Sequence, residues 1–453
     1  MGGRNFRLLR DNAVCMRYDG CMYTLIKNAL VVPMTRENHY LGKADIGING
    51  THIDFVGKTS ENVRADRVID ATGMIAMPSL VNAHTHVAME LERNYKDDLP
   101  TLEAWLGEIF PIEAKLTEGD ILWANRLGMV ELIQSGCTLF NDMYYQVHCG
   151  ARAANEAGIR AVIGFTGVGD VPDLKRTLDR EGPLVQREVE KSDGRIKVAC
   201  APHAVYTCTP ALYRYAHDWA KEHGALLHTH MAETTTEVST CKERYGASPF
   251  RHLEKLGYFK DTRHILAHCV HLTDDEMDTL KDLDATVCTN PTSNAKLASG
   301  MAPIGKMLKK GVKVALGTDG SSSNNNIDMV EEMHVASLIS SSLTGDITSL
   351  TPYQILKMAT IDGAKALGFD YIGTLQSGKE ADLILIDTRK PHLTPLNNPF
   401  SALVFAVQAS DVDTVFCQGR MLMEHRRMLT LDPQPIMEEV NAHWKALLER
   451  SRA

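Results

Sequence analysis

The chain has 453 residues, with 48 Lys and Arg against 57 Asp and Glu, so its formal net charge is −9. This acidic balance argues against a nucleic-acid partner, because phosphate binding requires a surplus of Lys and Arg. No apolar run approaches the ~18 residues of a membrane span. The arginines near the N-terminus are not followed by the continuous apolar stretch that a signal peptide has. We therefore expect a cytoplasmic protein with no membrane partner.

Two flanking regions carry the pattern of short strands. Residues 22–73 contain alternating stretches such as YTLIKNALVV and HIDFVG, and residues 373–430 contain GTLQSGKEADLILID and DVDTVFCQGRMLM. Alternation of apolar and polar residues is typical of strands with one buried face. The two flanks most simply join into one small β-sandwich. Residues 431–453 follow as a C-terminal unit, with a helix predicted over about 434–450, and residues 1–20 support no prediction.

The central region, residues 74–372, contains eight apolar runs that each end in a polar cluster and are separated by helix-like segments. These runs lie at 74–86, 137–144, 159–167, 196–203, 225–233, 264–272, 285–293 and 312–320. Continuous apolar runs are typical of parallel strands covered on both faces. Eight strand–helix units predict an α/β protein with a (β/α)₈ TIM barrel, whose active site forms at the carboxyl ends of the strands.

The ten cysteines are spread along the chain without a Cys-x-x-Cys pair, which argues against zinc-ribbon and thioredoxin motifs. Several lie within apolar runs such as KVACAP and ATVCTN, where a cysteine packs as a small hydrophobic residue. We expect reduced thiols in the core rather than disulfides.

Histidines and one aspartate recur at the ends of the predicted strands. His84 and His86 end the first run, and side chains two residues apart share one face of a strand. His230 ends the fifth run, His268 the sixth and Asp319 the eighth. Three neutral imidazoles and a carboxylate, with one position left for water, are typical of a catalytic zinc site. The pattern therefore predicts a metal centre at the rim of the barrel.

Two alternatives concern this rim. His228 and His230 lie on the same strand, and either could reach the metal; we favour His230, which is nearer the loop and three residues before Glu233. Lys197 on the fourth strand could bridge two metals as a carboxylated lysine. It lies six residues before His203, too far from the strand end, so we expect a single metal.

Several segments resemble the amidohydrolase superfamily and, more narrowly, its methylthioadenosine / S-adenosylhomocysteine deaminase group. They are HTHVAMELERNYKDDLP, FPIEAKLT, HTHMAET, AHCVHL, TNPTSNAKLASGMAPI and GTDGSSSNNNIDM, and the similarity runs from about residue 22 to 430. The resemblance implies an aminohydrolase that acts on C–N bonds of cyclic amidines and converts an adenosine-type nucleoside to its inosine analogue and ammonia. Guanine deaminases, pterin deaminases and triazine hydrolases share the pattern and are the alternative.

The resemblance also implies a role for each residue of the metal centre. His84, His86, His230 and Asp319 would bind one zinc ion per subunit, with iron as the alternative. Asp319 would take the proton of the attacking water, and His268 would orient that water. Glu233 would carry a proton to the purine ring and then to departing ammonia, a transfer typically worth 10²–10⁴ in rate. A barrel that binds metal without catalysis is disfavoured by this intact set.

Four further residues are expected to contact the nucleoside. By resemblance, Glu113 would accept hydrogen bonds from the ribose hydroxyls, His203 would contact the substrate, and Trp105 would cover it. Ser323 follows Asp319 in a loop where hydroxyls can hold substrate or cap the next helix.

The resemblance implies a homo-oligomer, a dimer or a tetramer. It does not single out a 5′-substituent: S-adenosylhomocysteine, methylthioadenosine, 5′-deoxyadenosine and adenosine all stay open. Relatives that accept amino-acid tails carry arginines after the third strand, and Arg176 and Arg180 do not match that pattern.

Overall fold

The computed structural model describes residues 22–60 and 62–452. Its strands are β1 (Tyr23–Val31), β2 (Leu41–Asn49), β3 (His52–Gly57), β4 (Arg67–Asp70), β5 (Met74–Pro78), β6 (Leu80–Thr85), β7 (Cys137–Tyr144), β8 (Arg160–Gly167), β9 (Ile196–Pro202), β10 (Leu226–Met231), β11 (His264–His268), β12 (Ala285–Thr289), β13 (Lys313–Leu316), β14 (Leu383–Asp387), β15 (Val412–Cys417), β16 (Arg420–Glu424) and β17 (Arg427–Met428). They form two sheets.

The helices connect the barrel strands and close the chain. They are α1 (Leu102–Glu113), α2 (Glu118–Gln134), α3 (His148–Ala157), α4 (Val171–Lys191), α5 (Pro210–His223), α6 (Thr235–Tyr245), α7 (Pro249–Lys255), α8 (Asp274–Leu280), α9 (Pro291–Lys296), α10 (Ile304–Lys310), α11 (Ser321–Asn324), α12 (Met329–Thr344), α13 (Pro352–Lys357), α14 (Gly363–Ala366), α15 (Pro399–Phe405) and α16 (Pro433–Arg452). Short 3₁₀ or π segments lie at Val87–Glu92, Met358–Asp362, Pro391–Leu393 and Ala409–Asp411.

The eight strands β6 to β13 pair in chain order, all parallel, and confirm the predicted barrel. The first and last strands meet where the Asp319 N–H donates to the His84 carbonyl at 3.0 Å. Asn82 Nδ2 also donates to Thr318 Oγ1 at 2.7 Å. A Cβ on Gly317 would lie 2.8 Å from the His84 backbone nitrogen, so only glycine allows this approach. The closure brings the residues after β13 beside those at the end of β6.

The first predicted barrel run, residues 74–86, forms two strands rather than one. β5 pairs with β14 and β1 in the flanking sheet, and the barrel begins at Leu80. The N–H of Ser79 donates to the Asp382 carbonyl at 3.2 Å, and the N–H of Leu80 donates to the Gly136 carbonyl at 2.9 Å. The chain therefore passes from one sheet to the other at Ser79. The barrel boundary predicted at residue 74 is too early, because both strands are fully buried and read as one apolar run.

The flanks join into one nine-stranded mixed sheet, in the order β17-β16-β15-β14-β5-β1-β2-β3, with β4 beside β1. The sheet encloses a core of its own, separate from the barrel core, that includes Ile26, Ile46, Leu383, Leu385 and Phe416. N- and C-terminal segments thus form one β unit, as predicted. The C-terminal helix, predicted over about 434–450, is α16, which spans Pro433–Arg452.

The eight cysteines in the described part of the chain are buried free thiols, as expected. Cys15 and Cys21 lie outside the described residues. Across residues 22–60 and 62–452, no helix has both the length and the apolar composition needed to cross a bilayer.

Candidate metal-dependent active site

The histidines and the aspartate predicted from strand ends lie together at one rim of the barrel. His84 is on β6, His230 on β10 and His268 at the end of β11. His86 directly follows β6, and Asp319 lies three residues beyond the end of β13; all five are buried. His268 and Asp319 have φ angles of +69° and +64°. This left-handed conformation is uncommon for residues other than glycine and is found at functional sites.

Four of these side chains converge on one point. His86 Nε2 lies 3.3 Å from His230 Nε2 and 3.2 Å from Asp319 Oδ1. His84 Nε2 lies 3.3 Å from the same carboxylate oxygen. One ligand atom from each of the four residues falls within 4.8 Å of all the others. The structure therefore brings together the set His84, His86, His230 and Asp319.

The hydrogen bonds behind this cluster leave ligand lone pairs facing inward. His230 Nδ1–H donates to the His203 carbonyl at 2.8 Å, and His86 Nδ1–H donates to the Met143 carbonyl. A carbonyl only accepts, so each neutral ring turns the lone pair of Nε2 toward the cluster. The Nε2 of His84 is buried and has no hydrogen-bond partner. Three imidazoles and one carboxylate therefore present the donor set of a divalent metal ion.

The pKa values of the four side chains agree with a metal-binding role. Burial lowers the pKa of His84 to about 4 and holds that of His230 well below its usual value, which keeps both rings neutral. Burial alone would raise the pKa of Asp319, but His84 and His86 outweigh it and hold the pKa well below its usual range. Burial also lowers the pKa of His86, yet hydrogen bonding to Asp319 outweighs it and raises the pKa to about 9. A proton therefore competes with a metal ion for this ring.

His228 lies behind the cluster rather than in it. Its Nε2 is 2.8 Å from Nδ1 of His84, and its Nδ1 is 3.2 Å from the amide nitrogen of Asn141. Asn141 also donates to the Ala83 carbonyl at 2.9 Å. Of the two histidines on β10, the structure thus directs His230 to the cluster and uses His228 to hold the ring of His84.

Two serine hydroxyls hold the other oxygen of the Asp319 carboxylate. Ser293 Oγ donates to Oδ2 at 2.6 Å and Ser323 Oγ donates to it at 2.8 Å. Ser323 lines the cavity, as a substrate-binding residue would, but its hydroxyl lies within hydrogen-bond distance of Asp319 Oδ2 and of the Gly320 carbonyl. Both serines orient the carboxylate, a role that the sequence pattern predicts for neither.

Glu233 and His268 face each other beside the cluster. Glu233 Oε2 lies 3.7 Å from His268 Nε2, and Ser299 Oγ donates to Glu233 Oε1 at 3.2 Å. His268 Nδ1–H donates to Asn294 Oδ1 at 2.8 Å, which directs Nε2 into the cavity. Burial raises the pKa of Glu233, and this favours the protonated form that a general acid requires. The carboxylate of Glu237 accepts a hydrogen bond from the Glu233 N–H at 2.7 Å and fixes the backbone at Glu233.

At the other end of the cavity, Glu113 belongs to a buried group of carboxyl and phenol side chains. The Tyr144 hydroxyl donates to Glu92 Oε1 at 3.4 Å and also hydrogen-bonds with Glu113. Burial raises the pKa of Glu113 to about 7. Burial and the nearby charge of Glu113 together raise the pKa of Glu92 well above its usual value. Tyr144 thus contacts both carboxyl groups and itself lines the cavity. The FPIEAKLT segment around Glu113 includes neither Glu92 nor Tyr144 and does not predict this group.

The cavity between these two ends contains about 580 Å³ of empty space, part of it open to solvent. Trp105 and His203, both predicted to contact substrate, line it. The indole Nε1 of Trp105 is buried without a partner. Several other lining residues are apolar or aromatic: Met89, Leu106, Phe110, Tyr145, Tyr206 and Leu297. A concave site that combines an apolar wall with converging polar side chains is typical of small-molecule sites.

Three basic residues considered from sequence lie away from this cavity. Lys197 Nζ is directed at the Gly368 carbonyl and lies 4.2 Å from the ring centroid of Phe369, at the opposite end of the barrel. Arg176 and Arg180 are exposed on α4, where they pair with acidic neighbours on the same helix. None of the three lines the cavity.

Comparison with known proteins identifies the class. Residues 75–422 match the model of the amidohydrolase family, and the chain belongs to this family. It is 44% identical over 433 residues to the 5-methylthioadenosine/S-adenosylhomocysteine deaminase of Thermoanaerobacter pseudethanolicus, covering 95% of this chain and 100% of that protein. The protein of the same name from Moorella thermoacetica is 45% identical over 423 residues, covering 92% of this chain and 97% of that one.

Solved structures with the same fold contain zinc. An adenosine deaminase from Xanthomonas campestris with bound zinc superposes with a TM-score of 0.89 at 30% identity, covering 94% of this chain and 98% of that one. A mutant atrazine chlorohydrolase from Arthrobacter aurescens, complexed with zinc and atraton, gives a TM-score of 0.86 at 25% identity, covering 93% and 100%. The fold and the four-residue cluster thus fit a metal site.

Proposed function

We propose that this protein hydrolytically deaminates adenosine-type nucleosides, releasing ammonia and the corresponding inosine analogue. One observation carries the proposal: the metal-type cluster and the Glu233–His268 pair share a cavity with the buried carboxyl of Glu113. The cluster and the Glu233–His268 pair suit the replacement of an amine by oxygen. The carboxyl of Glu113 suits hydrogen bonding to a diol such as that of ribose. The names of relatives at 44–45% identity point to the same reaction.

The metal in this proposal is one zinc ion, held by His84, His86, His230 and Asp319. A divalent ion supplies Lewis acidity and lowers the pKa of a water molecule from about 15.7 to about 7. Asp319 accepts the proton of the attacking water, with Ser293 and Ser323 holding its carboxylate in place. His268 accepts a hydrogen bond from that water through Nε2, because its Nδ1–H is committed to Asn294.

Glu233 moves the protons of the purine. Its protonated carboxyl donates to the ring nitrogen next to the amine-bearing carbon as water attacks, and a proton then passes to the leaving amine. The raised pKa of Glu233 suits this role, since an ionised carboxylate could not donate. The reaction balances as nucleoside amine plus water giving the oxo nucleoside plus ammonia.

Glu113 accepts hydrogen bonds from the ribose hydroxyls, while Trp105 and His203 contact the nucleoside. Burial raises the pKa of Glu113 to about 7, and two hydroxyl donors would favour its ionised form. A carboxyl in this position contributes nothing to binding a free base or a triazine. Glu113 therefore favours the nucleoside over guanine, pterin or triazine substrates.

The 5′-substituent is inferred from what lines the cavity. Among the described residues, its lining contains Met89, Leu106, Phe110 and Leu297 but neither Lys nor Arg. Binding an amino-acid carboxylate away from water requires a cationic partner. We infer a preference for compact, apolar 5′-substituents, as in methylthioadenosine and 5′-deoxyadenosine, over S-adenosylhomocysteine.

Ammonia release from a substrate panel tests the proposal, with zinc-loaded protein and adenosine, 5′-deoxyadenosine, methylthioadenosine, S-adenosylhomocysteine, adenine, guanine, a pterin and a triazine. Glu113→Gln should lower kcat/KM for adenosine about 10- to 100-fold, the usual effect of losing hydrogen bonds to a charged group. Activity on adenine should stay unchanged. Glu103→Gln, at an exposed position of α1, is the matched control. Equal nucleoside kinetics in Glu113→Gln and wild type, or activity confined to guanine, pterin or triazine, would overturn the proposal.

The dimer or tetramer expected from the resemblance remains a prediction, as does a cytoplasmic location. Light scattering of the purified chain across a concentration series tests the first.

A further inference from the structure

A second group of potential metal ligands lies on the outer wall of the barrel, at the start of α2 and α3. His148 Nε2 lies 3.3 Å from Glu118 Oε1 and 3.6 Å from Cys149 Sγ. One ligand atom from each of the three residues falls within 4.8 Å of the other two. None of these residues belongs to the active site described above.

We propose that His148, Cys149 and Glu118 form a second, zinc-type divalent cation site. Typical bond lengths are about 2.0–2.1 Å from zinc to nitrogen, about 2.3 Å to sulfur and about 2.0–2.2 Å to oxygen. In a tetrahedron these lengths separate nitrogen from oxygen by about 3.3–3.5 Å and nitrogen from sulfur by about 3.5–3.6 Å. The two distances in the structure fit these edges, and the ligand atoms of Glu118 and Cys149 lie within 4.8 Å of each other.

The surroundings of His148 fit a metal ligand as well. Its Nδ1–H donates to Glu181 Oε2 on α4, and the other oxygen of Glu181 accepts from Arg180 Nε at 2.7 Å. The Glu181 residue is fully buried. Histidine ligands of metals usually donate their second N–H to a carboxylate, which fixes the tautomer and directs the free nitrogen at the ion. Glu181 therefore holds the ring of His148 with Nε2 toward Cys149 and Glu118.

The site leaves one side open to water. Cys149 is buried, whereas the side chain of Glu118 is 66% exposed. Three protein ligands and one solvent position complete a tetrahedral zinc shell. A bound ion would join the start of α2, five residues after Glu113, to the start of α3, four residues after Tyr144. It would therefore stabilise the two segments that carry the Glu113 end of the active-site cavity.

Cobalt titration tests this site independently of activity. The metal-free chain is titrated with Co²⁺ in the presence of a non-thiol reductant while its absorption spectrum is recorded. Cobalt bound to a thiolate gives an intense near-ultraviolet charge-transfer band, and the His84, His86, His230 and Asp319 set contains no sulfur. In wild type this band should reach the intensity of one thiolate-bound cobalt ion per chain. Cys149→Ser and His148→Asn should lose it while keeping the visible absorption of cobalt at the other cluster.

Cys241→Ser, at another buried helical cysteine, is the matched control and should keep the band. Glu181→Gln should weaken binding at this site about 10- to 100-fold, as is usual when the carboxylate behind a histidine ligand is lost. The proposal is overturned if wild type develops no thiolate band, if the band persists in Cys149→Ser, or if Cys241→Ser removes it equally. These outcomes do not depend on deaminase activity.

Discussion

Arg160 and Asp382 form a bidentate ion pair that joins the barrel to the flanking sheet. Nε and Nη2 of Arg160 each donate to one oxygen of the Asp382 carboxylate at 2.8 Å, and both side chains are fully buried. Arg160 begins β8, and Asp382 directly precedes β14. The Asp382 carboxylate also accepts from Thr138 Oγ1 at 3.1 Å and from the Gln418 N–H at 2.8 Å. One carboxylate thus connects two barrel strands to the C-terminal flank.

Removing one member of this pair should destabilise the protein strongly. Arg160→Met leaves Asp382 charged, buried and without its counter-ion, which typically costs about 3–5 kcal/mol. Urea unfolding followed by circular dichroism measures the free energy of unfolding. Arg176→Met, which removes the exposed Arg176–Asp173 pair, should change it by less than about 1 kcal/mol. Similar losses in the two variants would contradict the role assigned to Arg160.

Loss of a ligand from the proposed zinc site should remove metal and activity together. His230→Ala deletes one of the four convergent donors, so it should lower bound zinc by about one equivalent per chain and ammonia release to background. It should also remove the stabilisation that zinc gives by binding at this site, about 2.7 kcal/mol at a metal concentration 100 times Kd. Metal analysis and thermal unfolding with and without zinc measure these effects. His425→Ala, at an exposed turn, should behave as wild type. Full activity in His230→Ala would contradict the assignment.

Replacing Glu233 should separate catalysis from metal binding. Glu233→Gln keeps the size of the side chain but removes the transferable proton, so kcat should fall about 10²- to 10⁴-fold. Zinc content should stay at the wild-type level, because Glu233 is not one of the four convergent ligands. Steady-state kinetics and metal analysis on the same preparation measure both effects. Glu243→Gln, exposed on α6, is the control. A change in kcat smaller than tenfold would rule out the proton-transfer role.

The pH dependence of stability should depend on Glu332 of α12. Burial raises its pKa to about 8, although Asn324 Nδ2 donates to Oε1 at 2.6 Å. Because the folded state favours the protonated carboxyl, this contribution is complete below the unfolded pKa of about 4.5 and is lost as pH rises toward 8. The contribution of Glu332 to the stability of the wild type should therefore fall between pH 5 and 8, on the order of 1.4 kcal/mol per pH unit.

Glu332→Gln, which cannot ionise, should lose less stability over this range. Comparing the urea midpoints of wild type and variant at pH 5 and pH 8 measures the difference, and the contribution of bound metal cancels in that comparison. Glu331→Gln, at the exposed neighbouring position, should follow wild type. Parallel pH profiles for Glu332→Gln and wild type would contradict the assignment.

The preference for compact 5′-substituents is tested by kinetics alone. With no Lys or Arg among the described residues that line the cavity, kcat/KM for methylthioadenosine and 5′-deoxyadenosine should exceed that for S-adenosylhomocysteine at least about tenfold. Zinc-loaded protein and ammonia release provide the measurement. A higher kcat/KM for S-adenosylhomocysteine would contradict this preference without affecting deamination itself.

The sequence by itself determined the barrel and the residues at its rim. Parallel strands are covered on both faces, so they read as apolar runs, and the polar residues that end each run meet at the same end of a barrel. The sequence alone therefore places His84, His86, His230, His268 and Asp319 together. The pairing of the two flanks followed from their alternating pattern.

Only the tertiary structure determined the strand pairings, hydrogen bonds and side-chain clusters that join residues distant in sequence. The run at residues 74–86 divides at Ser79 because its two halves pair with different strands, which an unbroken apolar run does not reveal. His228 and His230 lie two residues apart on the same strand, so the sequence does not distinguish them. Their roles differ because the ring of His228 contacts the ring of His84. The cluster of Glu118, His148 and Cys149 forms because α2, α3 and α4 pack side by side. Local patterns report burial and strand ends, whereas hydrogen-bond partners depend on how the elements pack in three dimensions.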